Sequence, residues 1–183
     1  MQIAPLSYED RLDARAIEQI DLVVIHCTEL PHLAMAREYG ERILHADSQT
    51  GNSGHFYIDR DGSIVRYVRP DRVAHHVRGH NPRSIGIELV NTGRYPDWLD
   101  SRHQAMDDPY ADAQVEALIA LLNRLRRELP NLQWIAGHED LDTAQVPASD
   151  DADKMVARKR DPGPLFPWGK VLAAVPLQRL MAA

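Results

Sequence analysis

Apolar residues recur along this chain with two periods, near two and near 3.6, which separate strands from helices. Ile20 to Cys27 is an almost continuous apolar run (Ile20, Leu22, Val23, Val24, Ile25), the pattern of a central strand covered on both faces. Leu33 to Ala46 has helical spacing, with Leu33, Ala36, Gly40, Ile43 and Leu44 on one stripe. His55 to Asp59 and Ser63 to Val68 read as two strands joined around Asp61-Gly62, a hairpin signal. Ser84 to Val90 alternates strictly, setting Ile85, Ile87 and Leu89 on one side and Gly86, Glu88 and Val90 on the other. Asn91 to Pro109 carries turn residues and reads as a surface loop.

Asp112 to Leu129 is the strongest helix, striped by Val115, Leu118, Ile119, Leu122, Leu125 and Leu129, with Asp112 as cap and Pro130 as stop. Leu132 to Ala136 predicts a short strand that leaves through Gly137-His138. Thr143 to Val156 is acidic and reads as irregular, Arg158 to Pro167 as extended and fixed by prolines, and Gly169 to Met181 as a terminal helix. Strands alternating with helices predict an α/β fold in one layered domain over residues 1–183.

Composition narrows the function classes. Hydrophobic residues make up 44% and charged residues 26%, as in soluble globular chains. A net charge of −6 argues against a nucleic-acid partner, since Arg124, Arg126 and Arg127 form the only dense basic group in a predicted helix and suit a solvated helix face. No run approaches the roughly 18 apolar residues of a membrane helix, so no membrane partner is expected. Glu9, Asp10, Arg11 and Asp13 stand where an export signal would be apolar, and the expected location is cytoplasmic, or periplasmic after removal of a leader. One cysteine, Cys27, excludes an internal disulfide, and the chain is expected to be a monomer.

Among nine histidines, position matters more than number. His26 ends the first buried strand and His138 follows a short one, and strand ends open into the crevice where α/β sites form. Asp161 lies in an extended stretch, because the residue before a proline is pushed from the helical region. Two imidazoles and a carboxylate supply three zinc ligands and leave a fourth position for water. The bland alternative makes His26 a satisfied core histidine and Asp161 a turn residue, and spacing leaves both open. Lys159 shares a face with Asp161 in an extended chain, and its charge beside a cation site suits an anion or a developing oxyanion. Glu88 offers a carboxylate able to accept a proton from water, against the plain reading of a salt-bridged strand residue.

Five segments occur in a recognisable order: Val24-Ile-His-Cys-Thr-Glu29, Gly54-His-Phe-Tyr-Ile-Asp-Arg-Asp-Gly62, Ser84-Ile-Gly-Ile-Glu-Leu-Val90, Gly137-His-Glu-Asp140 and Arg158-Lys-Arg-Asp-Pro-Gly-Pro164. Together they resemble the N-acetylmuramoyl-L-alanine amidase family, which includes an amidase-type phage lysozyme and the peptidoglycan recognition proteins. The resemblance implies a central mixed β-sheet flanked by helices, with one zinc ion on the floor of a groove. It implies His26, His138 and Asp161 as metal ligands, Glu88 as the activating carboxylate and Lys159 as the oxyanion-stabilising cation. The implied substrate is a muropeptide or peptidoglycan, cut between the muramyl or anhydromuramyl lactyl group and L-alanine, most simply in cell-wall recycling. Substrate binding is implied for His76, with His55 and Arg78 beside it.

Two departures stand out. The family's Ala-Trp-His wall reads Ala74-His75-His76 here, so a histidine replaces a tryptophan. An acidic insertion, about residues 143–157, separates the second histidine from the lysine; it is expected either to border the groove or to be a solvated loop. Cys27, turned away from His26 by strand alternation, is expected to be a buried apolar residue. Competing functions are a non-catalytic recognition module, a lytic amidase of intact wall, and an iron enzyme, since two histidines and a carboxylate also suit iron.

Overall fold

The computed structural model describes residues 1–181; the last two residues of the chain lie outside the described residues. The elements run β1 (Gln2–Ile3), β2 (Leu22–Cys27), α1 (Leu33–Gly40), β3 (Phe56–Ile58), β4 (Ile64–Arg66), β5 (Ser84–Leu89), α2 (Asp112–Glu128), β6 (Trp134–Gly137), α3 (His138–Leu141), β7 (Gln145–Pro147), β8 (Met155–Ala157), α4 (Trp168–Ala174) and β9 (Gln178–Arg179). Seven strands form a mixed sheet in the order β1-β4-β3-β5-β2-β6-β9, with β3 and β4 antiparallel and the other neighbours parallel. This is the expected α/β arrangement with a central mixed sheet.

The buried run of β2 lies at the middle of the sheet, between β5 and β6. Alternation sends Val23 and Ile25 to one face, where they join Ile85, Ile87 and Leu89 of β5 and the Val115, Leu118, Leu122 and Leu125 stripe of α2 in the main core. Leu22 and Val24 face the other way and pack with Val77 and Ala136. A third cluster, built on Leu6, Tyr8, Leu12, Tyr57 and Tyr67, closes the N-terminal segment over the sheet. The β3–β4 turn runs through Asp61-Gly62 as expected: the Ser63 amide donates to Asp61 Oδ1 at 2.8 Å, and Gly62 takes φ +84.

Four expectations change. The helix expected over 33–46 stops at Gly40, where the Tyr8 hydroxyl donates to the Gly40 carbonyl at 2.7 Å, and Ile43 and Leu44 are left exposed. Asp112 is not the cap of α2; Ala111 is, and Asp112 sits in the first turn paired with Lys170. The terminal helix ends at Ala174, because Pro176 has no amide hydrogen and forces Val175 into extended geometry; the chain then adds β9 to the sheet edge beside β6. The acidic stretch is not irregular: β7 and β8 pair as an antiparallel ribbon.

That ribbon and the 91–109 loop hold each other. The Ser101 amide and hydroxyl donate to Asp150 at 2.7 and 2.8 Å, and the Ser149 amide donates to the Leu99 carbonyl at 2.9 Å. The loop itself buries Asn91, Arg94 and Asp100 rather than merely crossing the surface.

Leu122 is wholly buried between α2 and the sheet. Leu122→Ala is expected to lower unfolding free energy by about 2–5 kcal/mol, the usual cost of emptying such a site, read as a shift of the urea midpoint at unchanged slope.

Candidate metal centre and groove

Three parallel strands deliver the central side chains to one end of the sheet. In β2, His26 follows Leu22 and Val24 on the face turned away from α2. Glu88 is its register partner on β5, on the face opposite Ile85, Ile87 and Leu89. His138 opens α3 directly after β6, the strand on the other side of β2. The short α3 turn is pinned from outside: the Gly137 amide donates to Asp140 Oδ2 at 2.8 Å, and Arg179 of β9 donates to both Asp140 oxygens while stacking 4.0 Å over the Trp168 ring. Asp161 is tied to the same turn, since the Glu139 amide donates to its carbonyl at 2.9 Å.

The structure thereby brings together the three residues expected as metal ligands. One ligand atom from each of His26, His138 and Asp161 lies within 4.8 Å of the others, and all three residues are buried. Asp161 Oδ2 is 2.8 Å from His26 Nδ1 and 3.1 Å from His138 Nδ1, while Asp161 Oδ1 is buried without a hydrogen-bond partner. A buried carboxylate oxygen with no donor is costly, and a cation cancels that cost. The donor set and this orphaned oxygen fit a divalent metal ion.

Burial sets the electrostatics. It lowers His26 to a pKa of about 4 against the opposing pull of Asp161, so the ring is neutral and able to ligate. Burial would raise Asp161, but the neighbouring His138 and His26 outweigh it and hold the carboxyl well below its usual range. Glu88 is pushed well above the ordinary carboxylate range by burial and then by the Asp161 charge, with Lys159 pulling the other way. Cys27 is buried, as expected, and burial drives its thiol up.

The cluster opens into a groove of about 880 Å³. Lys159, half-buried, and Arg78, exposed, line it as expected, along with Glu88 and His76. His55 does not reach it. Its ring is fully buried behind the wall, with Nδ1 accepting from the Gly86 amide at 3.0 Å and Nε2 beside the Arg72 carbonyl at 3.1 Å, so the expected substrate contact gives way to a structural one. His76 keeps one edge on the groove, but both ring nitrogens are engaged: Nδ1 lies 3.0 Å from His26 Nε2, and Nε2 lies 3.2 Å from Ser84 Oγ. Burial drives His76 well below its ordinary pKa. His75, the replacement for tryptophan, stacks edge-on against His45 at 4.6 Å, so two rings still form that part of the wall.

Sequence reasoning missed Glu29 and Arg94, which brace the far side of the groove. Arg94 clamps Glu29 through two nitrogens at 2.7 and 3.0 Å and donates to the Ala157 carbonyl of β8 at 2.8 Å. The Trp98 indole donates to the Glu29 carbonyl at 3.2 Å. Thus the acidic ribbon acts on the groove at one remove, through Arg94, instead of lining it. A glutamate just after the His26 strand was the available signal, but its arginine lies 65 residues away.

This fold, with a buried cluster able to hold a metal ion at the floor of a groove, is shared by one family of known proteins, and the comparisons place the chain within it. Residues 16–164 match the family model described as N-acetylmuramoyl-L-alanine amidase, and the chain belongs to that family. Among relatives, it is 34% identical over 122 residues to the 1,6-anhydro-N-acetylmuramyl-L-alanine amidase AmpD of Enterobacter cloacae, a match covering 62% of this chain and 51% of that protein. The chain thus spans about half the length of the curated relatives it matches. A crystal structure of a selenomethionine AmpD derivative superposes with a TM-score of 0.64 at 27% identity, over 95% of this chain and 93% of the other. The Escherichia coli amidase AmiD, in complex with anhydro-N-acetylmuramic acid-L-Ala-D-gamma-Glu-L-Lys, shares the fold with a TM-score of 0.63 at 24% identity, over 87% of this chain and 58% of that one.

The Arg94 and Glu29 side chains are 1% and 10% exposed. Arg94→Ala strands a buried carboxylate and is expected to cost about 3–5 kcal/mol of stability by urea unfolding. A loss below about 1 kcal/mol would show that Glu29 can be solvated from the groove.

Proposed function

We propose that this protein hydrolyses the amide bond between the lactyl group of N-acetylmuramic acid, or its 1,6-anhydro form, and L-alanine in peptidoglycan fragments. One zinc ion held by His26, His138 and Asp161 serves the reaction. The observation that carries this reading is the convergence of two buried imidazoles and an incompletely satisfied carboxylate beside Glu88, at the floor of an open groove. The names of the relatives favour anhydromuramyl peptides as the substrate. Cell-wall recycling, and a cytoplasmic location, go with that choice. Among the described residues, no helix is long and apolar enough to cross a membrane.

When bound, zinc supplies Lewis-acid polarisation and lowers the pKa of water from about 15.7 to roughly 7. The protein's own groups do the rest. Glu88, raised by burial, is a stronger base than an exposed carboxylate; it takes a proton from the attacking water and returns it to the alanine nitrogen as the C–N bond breaks. Lys159 faces the same space and neutralises charge growing on the former carbonyl oxygen. Arg78 on the rim offers a cation to the carboxylates of the stem peptide. A pure recognition module would have no use for Glu88 and a complete ligand set together.

Product analysis by mass spectrometry tests the reading: anhydromuramyl tripeptide should yield free tripeptide, cleavage should stop with chelator, and zinc should restore it. An intact substrate under all conditions would leave a binding protein. Glu88→Gln should retain one zinc per chain by metal analysis while losing about 10²–10⁴ in turnover. Lys159→Ala should lower kcat by about 10²–10³ with a smaller change in KM; a loss confined to KM would make Lys159 a substrate clamp instead.

A further inference from the structure

Besides the Glu139 amide, the turn that carries Asp161 meets a second set of contacts, from residues 106–110 at the entry to α2. Pro162 has no amide hydrogen, so its own backbone can be anchored only through its carbonyl. That carbonyl belongs to a buried residue and accepts from the Tyr110 hydroxyl at 2.7 Å. A carbonyl can only accept, so the sense of this bond is fixed. One residue further on, Gly163 takes φ +88, and a Cβ there would fall 2.8 Å from Met106 Cε and 3.1 Å from its sulfur. Met106 thus lies directly on the glycine. It is buried, and its own backbone sits at φ +53, a region that side chains rarely adopt.

Both contacts spring from a fixed base. Between them, Asp108 Oδ2 accepts from the Thr92 amide at 3.0 Å and the Thr92 hydroxyl at 2.5 Å, and its carboxylate pairs with Arg60. The Asn91 side-chain amide donates to the Asp108 carbonyl at 2.9 Å. Asn91 and Thr92 follow closely on β5, the strand that places Glu88. The Tyr110 ring stands edge-on to Phe166 at 5.4 Å and packs on the main core, so packing aims its hydroxyl. We infer that residues 106–110 form a positioning clamp for the third metal ligand, in which the Tyr110 hydroxyl and the Met106 side chain fix the Pro162–Gly163 backbone and so set Asp161 in place relative to Glu88. The inference rests on the zinc reading above. Neither Tyr110 nor Met106 lines the groove, so both act through Asp161. Groups that orient a metal ligand in this way typically contribute about 10–100-fold in metal affinity.

The test uses the full-length chain and asks whether the hydroxyl matters beyond packing. Tyr110→Phe keeps the ring against Phe166 and removes only the donor. Tyr8→Phe is the control, because its buried hydroxyl also donates to a carbonyl at 2.7 Å, that of Gly40 at the end of α1. Zinc affinity is measured by competition with a chromophoric chelator. Hydrogen exchange of the Glu139 amide in the metal-free protein reads whether the Asp161 carbonyl stays docked. Both variants should lower the urea midpoint, but only Tyr110→Phe should speed Glu139 exchange and weaken zinc, by about 10–100-fold. Met106→Ala, which empties the space against Gly163, should do the same by a smaller factor; it carries the test if Tyr110→Phe does not fold. Zinc affinity in Tyr110→Phe within about threefold of wild type, or an equal loss in Tyr8→Phe, would reduce the segment to core packing and overturn the inference. A wild-type chain that binds no zinc, with Glu139 exchange raised by Tyr110→Phe alone, would remove the metal reading and leave the clamp on Asp161 standing. Unchanged Glu139 exchange would remove the clamp whatever the metal does.

Discussion

A carboxylate buried between two imidazoles is the constraint on which the rest of this molecule depends. Asp161 loses most of its water, faces His26 Nδ1 and His138 Nδ1 through one oxygen, and leaves the other without a donor. Such a group is unfavourable unless a cation completes it. The fold holds it in place all the same by spending backbone on the problem. The Glu139 amide anchors the Asp161 carbonyl, Asp140 anchors the turn that carries His138, and Arg179 anchors Asp140 from the last strand. The C-terminal strand is thus connected to the site through two ion-paired residues, although none of its own side chains lines the groove.

Parallel register does the remaining alignment. Because β5 and β6 both pair with β2, residues at equivalent heights end on the same rim: His26 opposite Glu88, with His138 immediately past Gly137, which pairs with Ile25. A one-residue slip of β5 would turn Glu88 into the α2 core and bring Ile87 or Leu89 to the groove. The same alternation that buries Ile85, Ile87 and Leu89 against α2 therefore selects the polar residue at the site. Core packing and site geometry are one specification.

This explains what could be read from the chain alone. The central strand, the alternating β5 and the α2 stripe have local periodicity, and once those are known the outward faces of His26 and Glu88 follow. The convergence of three residues spread over 135 positions does not follow from local pattern; it is legible only through five motifs in order. What stayed hidden has a common physical cause. The end of α1 at Gly40 is decided by a tyrosine 32 residues upstream, the Glu29–Arg94 clamp by a partner 65 residues downstream, and the burial of His55 by an arginine and two backbone groups from other segments. Each is a polar group satisfied at long range, which no window of sequence displays. Pro176, by contrast, was a local signal against a continuous terminal helix, and the apolar spacing around it masked its effect.

The acidic ribbon shows how an insertion can touch a site without joining it. Its carboxylates are not simply solvated: Asp150 receives Ser101 and pairs with Arg102, while Asp142, just before the ribbon, pairs with Arg158, the residue preceding Lys159. The ribbon's outgoing strand supplies the Ala157 carbonyl to Arg94, and Arg94 in turn holds Glu29, three residues beyond His26. Extra chain placed between the second histidine and the lysine would ordinarily loosen the spacing of His138 and Asp161, because a longer connection costs more entropy to close. Here the connection closes on itself through β7 and β8, so the ends of the insertion, Ala144 and Arg158, are brought together by the Arg158 amide donating to the Ala144 carbonyl at 2.8 Å. The flexible length between His138 and Asp161 is then set by the few residues outside the ribbon, and Lys159 and Asp161 return to the groove as though the insertion were absent.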